Sequence, residues 1–200
     1  GVKTDKVSDK GYTVFTDNVD GSGEKEGVYY QYFDADLGRP VVNEGEDGLQ
    51  KLDYALYKAE QEGIKLLITF TNNWEAFGGM GQYVQWAKLA GENVSGHDDF
   101  YTNETIKGWY KDYIKTLLNH ENVYTGVKYK DDPTIFSWEL ANEPRCESDA
   151  GCENNTVVKW ATEMSAYVKS IDDNHMLAVG DEGFYNYGYN DFPEGDHKYV

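Results

Sequence analysis

Basic residues are scarce in this 200-residue sequence: 18 Lys and Arg stand against 36 Asp and Glu, a formal net charge of −18. A nucleic-acid-binding protein needs a basic face that releases counterions from phosphates, and none is visible here. The anionic surface also argues against acidic lipids and polyanionic sugars. We therefore expect no nucleic acid partner, and solubility is the simplest explanation of the charge.

Long hydrophobic runs are absent as well. No stretch of about 20 apolar residues occurs, so we expect no membrane partner. No signal peptide is visible at Gly1. Either one was removed or the chain begins within a longer protein.

Cysteine is limited to Cys146 and Cys152. Single thiols are commonly inert core residues, whereas a close pair in a loop is typical of a small disulfide in an oxidising compartment. A metal site would need about four ligands, and no nearby histidine cluster supplies them. Glycosylation triplets begin at Asn93, Asn103 and Asn154 and are compatible with secretion, although such triplets often arise by chance.

Aromatic residues, in contrast, are abundant, with 17 Tyr, 8 Phe and 5 Trp. Such a content excludes a disordered chain. Sugar rings present flat C–H faces that pack on aromatic rings, so an acidic protein rich in Tyr and Trp suits a neutral carbohydrate. Many of these rings must still belong to an ordinary core.

Hydrophobic periodicity predicts alternating helices and strands after an irregular opening. Residues 1–47 are polar and without a sustained period, and we expect a loop region there. The elements predicted after it are a helix capped by Asp47 and ending at Gly63, a strand over 64–70, a short helix over 82–89, a helix over 103–119, a strand over 135–141, a helix capped by Thr156 and a strand over 176–180. Strands joined by helical crossovers predict a parallel sheet.

Polar residues follow each predicted strand: Asn72-Asn73-Trp74, Asn142-Glu143-Pro144 and Asp181-Glu182-Gly183. No glycine-rich phosphate loop takes their place. A (β/α)8 barrel keeps its active site at this end of its strands. An open doubly wound sheet also binds ligands there, so position alone leaves both folds open.

Glu143 is the strongest candidate for chemistry. In an extended strand, Glu139, Ala141 and Glu143 share one face, with Glu139 roughly 13 Å deeper. Glu139 would then need an arginine or hydroxyl partner. Glu143 reaches the rim, where a partly desolvated carboxyl could donate a proton to a substrate. A solvated or salt-bridged glutamate at a strand end explains the residue equally well.

The segment Trp-Glu-Leu-Ala-Asn-Glu-Pro at 138–144 resembles the strand-four signature of the barrel glycosidase clan that includes glycoside hydrolase family 5. Further matches resemble the fungal-type endo-β-1,4-mannanases of that family. They are Asn72-Asn73-Trp74, Arg145-Cys146, Gly180-Asp181-Glu182-Gly183, the helix with Trp160-Ala161 and Tyr167-Val168-Lys169-Ser170, and Asn174-His175. The resemblance covers residues 47–185. It implies an α/β protein with a (β/α)8 TIM barrel, of which residues 1–200 form a single incomplete catalytic domain covering about the third to fifth units.

Carried over to this sequence, the resemblance implies that Glu143 is the acid/base and that Asn142 binds the sugar 2-hydroxyl. Trp74 becomes an aromatic sugar platform, unless it is a loop-anchoring core residue. Arg145 and Glu182 would line the aglycone side, beyond the cleaved bond, and a mutual salt bridge between them is compatible with that role.

The resemblance also implies a disulfide between Cys146 and Cys152, no metal or organic cofactor, and a nucleophilic Glu outside the chain. Retaining chemistry needs two carboxyls about 5–5.5 Å apart. Glu182, on the adjacent strand, is the alternative second carboxyl, although the resemblance assigns it to binding.

The implied function is a secreted, extracellular retaining hydrolase of internal β-1,4-mannosidic bonds in mannan, glucomannan or galactomannan. Two alternatives stay open: a glucanase or xylanase of the same clan, and a non-catalytic carbohydrate-binding barrel. The isolated 200 residues should require the remainder of the barrel and be inactive without it, aggregating through unpaired edge strands.

Overall fold

A computed structural model of the chain describes residues 28–75, 77–148 and 155–182, together with two strands nearer the N-terminus. The strands are β1 Thr4–Val7, β2 Thr13–Phe15, β3 Gln31–Asp34, β4 Arg39–Val42, β5 Leu66–Thr69, β6 Ile135–Glu139 and β7 Met176–Ala178. The helices are α1 Leu49–Gln61, α2 Met80–Leu89, α3 Asp99–Thr102, α4 Glu104–Asn119 and α5 Thr156–Ile171, with a short 3-10 helix at Tyr129–Asp131.

A three-stranded parallel sheet in the order β5-β6-β7 confirms the predicted strands and their direction. Glu139 stands in register with Thr69 on one side and Ala178 on the other. Helices α2 to α4 connect β5 to β6, and α5 connects β6 to β7. Since parallel strands end at one edge, the three polar loops predicted from the sequence emerge side by side.

The prediction that residues 1–47 form a loop region is wrong at β1 to β4, which make an antiparallel sheet in chain order. Strands β3 and β4 form a hairpin whose turn is closed by Asp34, since its Oδ1 accepts the N–H groups of Asp36 and Leu37 at 2.9 and 3.0 Å. Within β3 only Phe33 is buried. A strand of four residues with one buried side chain leaves no periodic signal.

Both predicted helix caps are wrong in detail. Helix α1 is preceded by Gly48, and the carboxylate of Asp47 instead accepts a hydrogen bond from Asn43 Nδ2 at 3.0 Å. Helix α5 begins at Thr156 itself, after Asn155 in a left-handed conformation with φ 59°. Cap preferences predict that a helix begins nearby, but they do not fix which polar residue takes the cap.

Aromatic side chains build much of the core between the sheet and its helices. Phe70 stacks on Trp138 with ring centroids 5.2 Å apart, and Trp160 packs within 6 Å of both Phe100 and Tyr110. Tyr110 also donates from its hydroxyl to the carbonyl of Leu140 at 2.5 Å, which ties the core to the end of β6. Among the helices that the structure describes, none combines the length and hydrophobicity that a bilayer crossing requires.

A buried polar cluster joins α1 to the end of α4. His120 Nε2 lies 3.1 Å from both carboxylate oxygens of Asp53, and His120 Nδ1 lies 2.9 Å from Glu44 Oε2. Tyr129 donates to Asp53 Oδ1 at 2.6 Å. Burial disfavours the charged imidazole, but the hydrogen bonds and charges of Asp53 and Glu44 outweigh it and raise the pKa of His120.

Replacing His120 by Gln should therefore destabilise the fold more in acid than in alkali. A raised pKa in the folded state gives a stabilisation that is complete below the ordinary value of 6.5 and lost as the pH rises through the folded value. The melting temperature of His120→Gln, measured relative to wild type, should fall further at about pH 5.5 than at about pH 9. Glu121→Gln, an exposed neighbour, is the control. An equal loss at both pH values would contradict the prediction.

Candidate active site

Backbone hydrogen bonds fasten together the three loops that follow β5, β6 and β7. Asn142 donates its N–H to the carbonyl of Thr71 at 2.9 Å, and Asn73 donates to the carbonyl of Asn142 at 3.0 Å. Glu143 donates its N–H to the carbonyl of Gly180 at 3.0 Å. The parallel ladder thus continues past the ends of the strands and brings the predicted site residues to one place.

Glu143 lies at the centre of these loops in an unusual conformation. Its φ of 53° places a non-glycine residue in the left-handed region, which costs about 1–2 kcal/mol. The prediction that Glu139, Ala141 and Glu143 share a strand face is therefore wrong, since β6 ends at Glu139 and the chain turns before Glu143. Glu143 is half-buried, and its Oε2 accepts a hydrogen bond from Trp74 Nε1 at 2.6 Å.

Trp74 presents an exposed ring beside this carboxyl. Its relative exposure is 44%, which argues against a buried anchoring role. The guanidinium carbon of Arg145 lies 5.5 Å from the ring centroid, within range of a cation–π interaction. Trp74 is thus held at its indole nitrogen by Glu143 and over its ring by Arg145, and the ring remains accessible.

Arg145 and Glu182 form an ion pair across the loops after β6 and β7. Both side chains are partly exposed, at 29% and 28%. The backbone of Arg145 is fixed separately, because its N–H donates to Asn73 Oδ1 at 3.2 Å and its carbonyl accepts from the hydroxyl of Tyr101 at 3.0 Å. The salt bridge considered from the sequence is present, and the binding role of the pair stays a prediction.

Asn142 is exposed, and its Nδ2 donates to Asn72 Oδ1 at 3.0 Å. Both residues border a cavity of about 590 Å³. Aromatic side chains contribute much of its wall: Tyr29, Tyr30, Phe70, Phe77, Trp86 and Tyr113. Two buried polar atoms of wall residues, Thr71 Oγ1 and Gln82 Nε2, have no hydrogen-bond partner within the described part of the chain. Aromatic faces combined with a few polar atoms are the lining typical of a small-molecule binding site.

Glu139 was expected to need an arginine or a hydroxyl partner, and it has a hydroxyl, since Thr69 Oγ1 donates to its Oε1 at 2.7 Å. Gly180, at φ +94°, lies directly against it: a Cβ atom there would collide with the Ala141 carbonyl and with the side chain of Glu139. Only glycine allows the loop after β7 to approach close enough to accept the N–H of Glu143.

Some of the predicted features lie outside the described residues. Cys146 is buried at 3% exposure, whereas Cys152 and Asn154 are not described, so the disulfide stays a prediction. Asn93 is exposed, and Asn103 uses its side-chain oxygen to accept the N–H of Ile106 at the start of α4. Within the described ranges, no group of three or more His, Cys, Asp or Glu side chains could hold a metal.

Two residues that were not predicted from the sequence, His97 and Asp98, lie before α3 and contact the loop that follows Glu143. Asp98 accepts hydrogen bonds from the N–H groups of Glu147 and Ser148 at 2.8 and 2.9 Å. The only available signal was the run His-Asp-Asp at 97–99 in a glycine-containing loop, which also suits an ordinary helix start.

The family model described as GH family 5 beta-mannosidase-like matches residues 39–197. The chain belongs to this family. It is 50% identical over 143 residues to "Mannan endo-1,4-beta-mannosidase 1" of Oryza sativa subsp. japonica, covering 72% of this chain and 33% of that protein. The chain thus spans about a third of the length of this curated relative.

Solved structures give the same assignment. The endo-1,4-beta-mannanase from Rhizomucor miehei superposes with a TM-score of 0.76 at 45% identity, over 86% of this chain and 48% of that one. The hyperthermostable endo-1,4-beta-D-mannanase from Thermotoga petrophila gives 0.67 at 52% identity, over 77% and 42%. The fold is part of a (β/α)8 barrel, which excludes the open doubly wound sheet.

Replacing Gly180 by Ala should disrupt this site through its backbone. The substitution adds the cost of a left-handed alanine, about 1–2 kcal/mol, to a collision that typically costs another 1–3 kcal/mol. Gly126→Ala is the matched control, since Gly126 also has a positive φ of 68° but nothing lies within 4 Å of an added Cβ. Urea unfolding should show a larger loss in the free energy of unfolding for Gly180→Ala than for Gly126→Ala. Equal losses would show that the close approach is not required.

Proposed function

We propose that the protein containing this chain is a retaining endo-β-1,4-mannanase acting on internal bonds of mannan, glucomannan or galactomannan. Family membership and the activities for which its relatives are named support it. The observation that carries it is the placement of Glu143. A half-buried carboxyl in a left-handed conformation lies where three loops meet, hydrogen-bonded to an exposed tryptophan.

Glu143 first protonates the departing glycosidic oxygen and then, as a carboxylate, removes a proton from the water that attacks the glycosyl-enzyme intermediate. Both steps require a fixed carboxyl orientation. The backbone bond from Glu143 to Gly180 and the bond from Trp74 Nε1 to its Oε2 supply it. The reaction requires no metal and no organic cofactor.

The remaining predicted site residues bind the substrate. The exposed ring of Trp74 packs against a sugar face, and the side chain of Asn142 binds the 2-hydroxyl of the sugar at the cleaved bond. Arg145 and Glu182 contact the aglycone sugars as a pair. The ion pair with Arg145 favours this role for Glu182 over that of nucleophile, because it engages the Glu182 carboxylate with a guanidinium from the loop after β6. The nucleophilic Glu is supplied by another barrel strand.

Secretion completes the proposal. An extracellular protein would carry the Cys146–Cys152 disulfide as a staple of the loop after Arg145, and the exposed Asn93 is a candidate glycosylation site. Mass spectrometry of the secreted protein before and after reduction would detect a bridged pair, and its absence would contradict this part of the proposal.

Replacing Glu143 by Gln in the full-length protein should abolish turnover and preserve binding. General acid/base catalysis contributes on the order of 10²–10⁴-fold, and the amide cannot exchange the required proton. Reducing-sugar release from mannan should fall by this factor, while mannohexaose affinity, measured by calorimetry, stays within a few-fold.

A panel of mannan, β-glucan and xylan provides the control for specificity. Release from β-glucan or xylan in preference to mannan would contradict the proposed substrate. A wild-type protein that binds mannan without cleaving it would be a binding protein instead.

Two substitutions of Trp74 separate its two contacts. Trp74→Phe keeps an aromatic face but removes the N–H that holds Glu143, and a hydrogen bond to a charged group contributes about 1.5–3 kcal/mol. We expect kcat to fall roughly tenfold or more with little change in KM. Trp74→Ala should also raise KM, because the platform is lost. A wild-type kcat for Trp74→Phe would show that the indole N–H has no separate role, and identical constants for the two variants would show that the aromatic face has none.

A further inference from the structure

The segment from Glu143 to Ser148, here called the acid/base loop, is fixed at its far end by a residue from another element. Asp98 Oδ1 accepts the N–H of Glu147 at 2.8 Å. Asp98 Oδ2 accepts both the N–H of Ser148 at 2.9 Å and its hydroxyl at 2.5 Å. Three hydrogen bonds accepted by one carboxylate thus hold the end of the loop that begins with the proposed acid.

Asp98 is buried at 7% exposure, so its contacts are costly to leave unmade. Burial alone would favour the neutral acid. The hydrogen bonds from Ser148, Glu147 and His97 outweigh burial and lower the pKa of Asp98. The group that fixes the loop is therefore an ionised acceptor at any pH above the ordinary aspartate pKa of 3.8.

His97 extends this contact to the loop after β5. Its Nδ1 lies 3.1 Å from Asp98 Oδ1, and its Nε2 lies 3.1 Å from the carbonyl of Asn73. The side chain of Asn73 in turn accepts the N–H of Arg145 at 3.2 Å. His97 therefore connects Asp98, which binds the far end of the acid/base loop, to Asn73, which binds the backbone of Arg145.

A comparison with Asp99 shows that the hydrogen bonds accepted by Asp98 are not those of an ordinary helix N-cap. Asp98 is the N-cap residue of α3, yet its side chain makes no capping hydrogen bond. Asp99 makes the local bonds instead: its Oδ2 accepts from the N–H and hydroxyl of Ser95 at 2.5 and 3.0 Å and from the N–H of Gly96 at 2.9 Å. Adjacent carboxylates thus each accept three backbone or hydroxyl bonds, one set local and the other on the acid/base loop.

We propose that Asp98, supported by His97, is a positioning residue that holds the acid/base loop in its catalytic geometry. It acts through the backbone of Glu147 and Ser148 and does not touch the substrate. The inference rests on the proposed function, since it concerns how Glu143 and Arg145 are placed for that reaction. Small displacements of a catalytic group are enough to slow a reaction strongly.

Asp98→Asn and Asp99→Asn in the full-length protein form a matched pair. Each removes one charge at adjacent positions and disturbs three accepted hydrogen bonds. For Asp98→Asn, kcat/KM on mannohexaose should fall about tenfold, or 1.4 kcal/mol, mostly through kcat. For Asp99→Asn it should stay within about twofold of wild type, although both variants lose melting temperature.

Hydrogen exchange provides a readout independent of turnover. The amides of Glu147 and Ser148 should exchange faster in Asp98→Asn and at the wild-type rate in Asp99→Asn. If Asp98→Asn does not fold, Ser148→Ala removes one of the three bonds at an exposed position, and kcat should fall about threefold.

Equal activity losses in the two Asp variants would overturn the proposal, as would a wild-type kcat/KM in Asp98→Asn or in the substitute Ser148→Ala. Unchanged exchange at Glu147 and Ser148 in Asp98→Asn would also overturn it. Failure of the proposed function looks different, since the wild-type protein itself would then release no sugar from mannan.

Discussion

The site depends on the continuation of a parallel hydrogen-bond ladder beyond the strands that begin it. Asn142 is bonded to the loop after β5 on one side, and Glu143 is bonded to Gly180 in the loop after β7 on the other. These are backbone bonds, so they fix the main chain directly. Without them Trp74, Glu143 with Arg145, and Glu182 would lie on three loops with no backbone connection between them. With them, the main chains of the three loops are held in fixed positions relative to one another.

That rigidity comes with local strain, and the strain explains the residue types around the site. A glutamate at φ 53° is unfavourable in isolation. It persists because two contacts hold it independently: its backbone N–H is bonded to Gly180 and its carboxyl is bonded to Trp74. The partner of this backbone bond must be a glycine, since any Cβ at position 180 would push its loop away from Ala141 and Glu139. A carboxyl aimed by a turned backbone points differently from one at the end of a straight strand. Its neighbours, and not its position in an alternating pattern, determine what it contacts.

This explains which features the sequence could predict. The three strands and their helices follow from apolar runs and helical periodicity, which are properties of the residues themselves. The hydroxyl partner of Glu139 followed from the cost of burying a charge, and Thr69 fulfils it. The face of Glu143 was predicted wrongly, because alternation holds only while the chain stays extended. The short hairpin β3–β4, with one buried residue in β3, gave no period to detect. The contact of Asp98 with Ser148 joins residues 50 positions apart, which no local pattern encodes.

Some of the acidic residues of the chain are buried and have a structural role. Asp98 and Asp172 are both buried, and each accepts hydrogen bonds from separate segments; Asp172 takes them from Trp138 Nε1 and from His175. In both cases burial opposes the charge, yet the accepted bonds lower the pKa of the carboxyl. An ionised acceptor with several donors is stronger than a neutral one, and removing any donor leaves a buried charge undersatisfied. Such carboxylates can hold loops in place without extending the hydrophobic core.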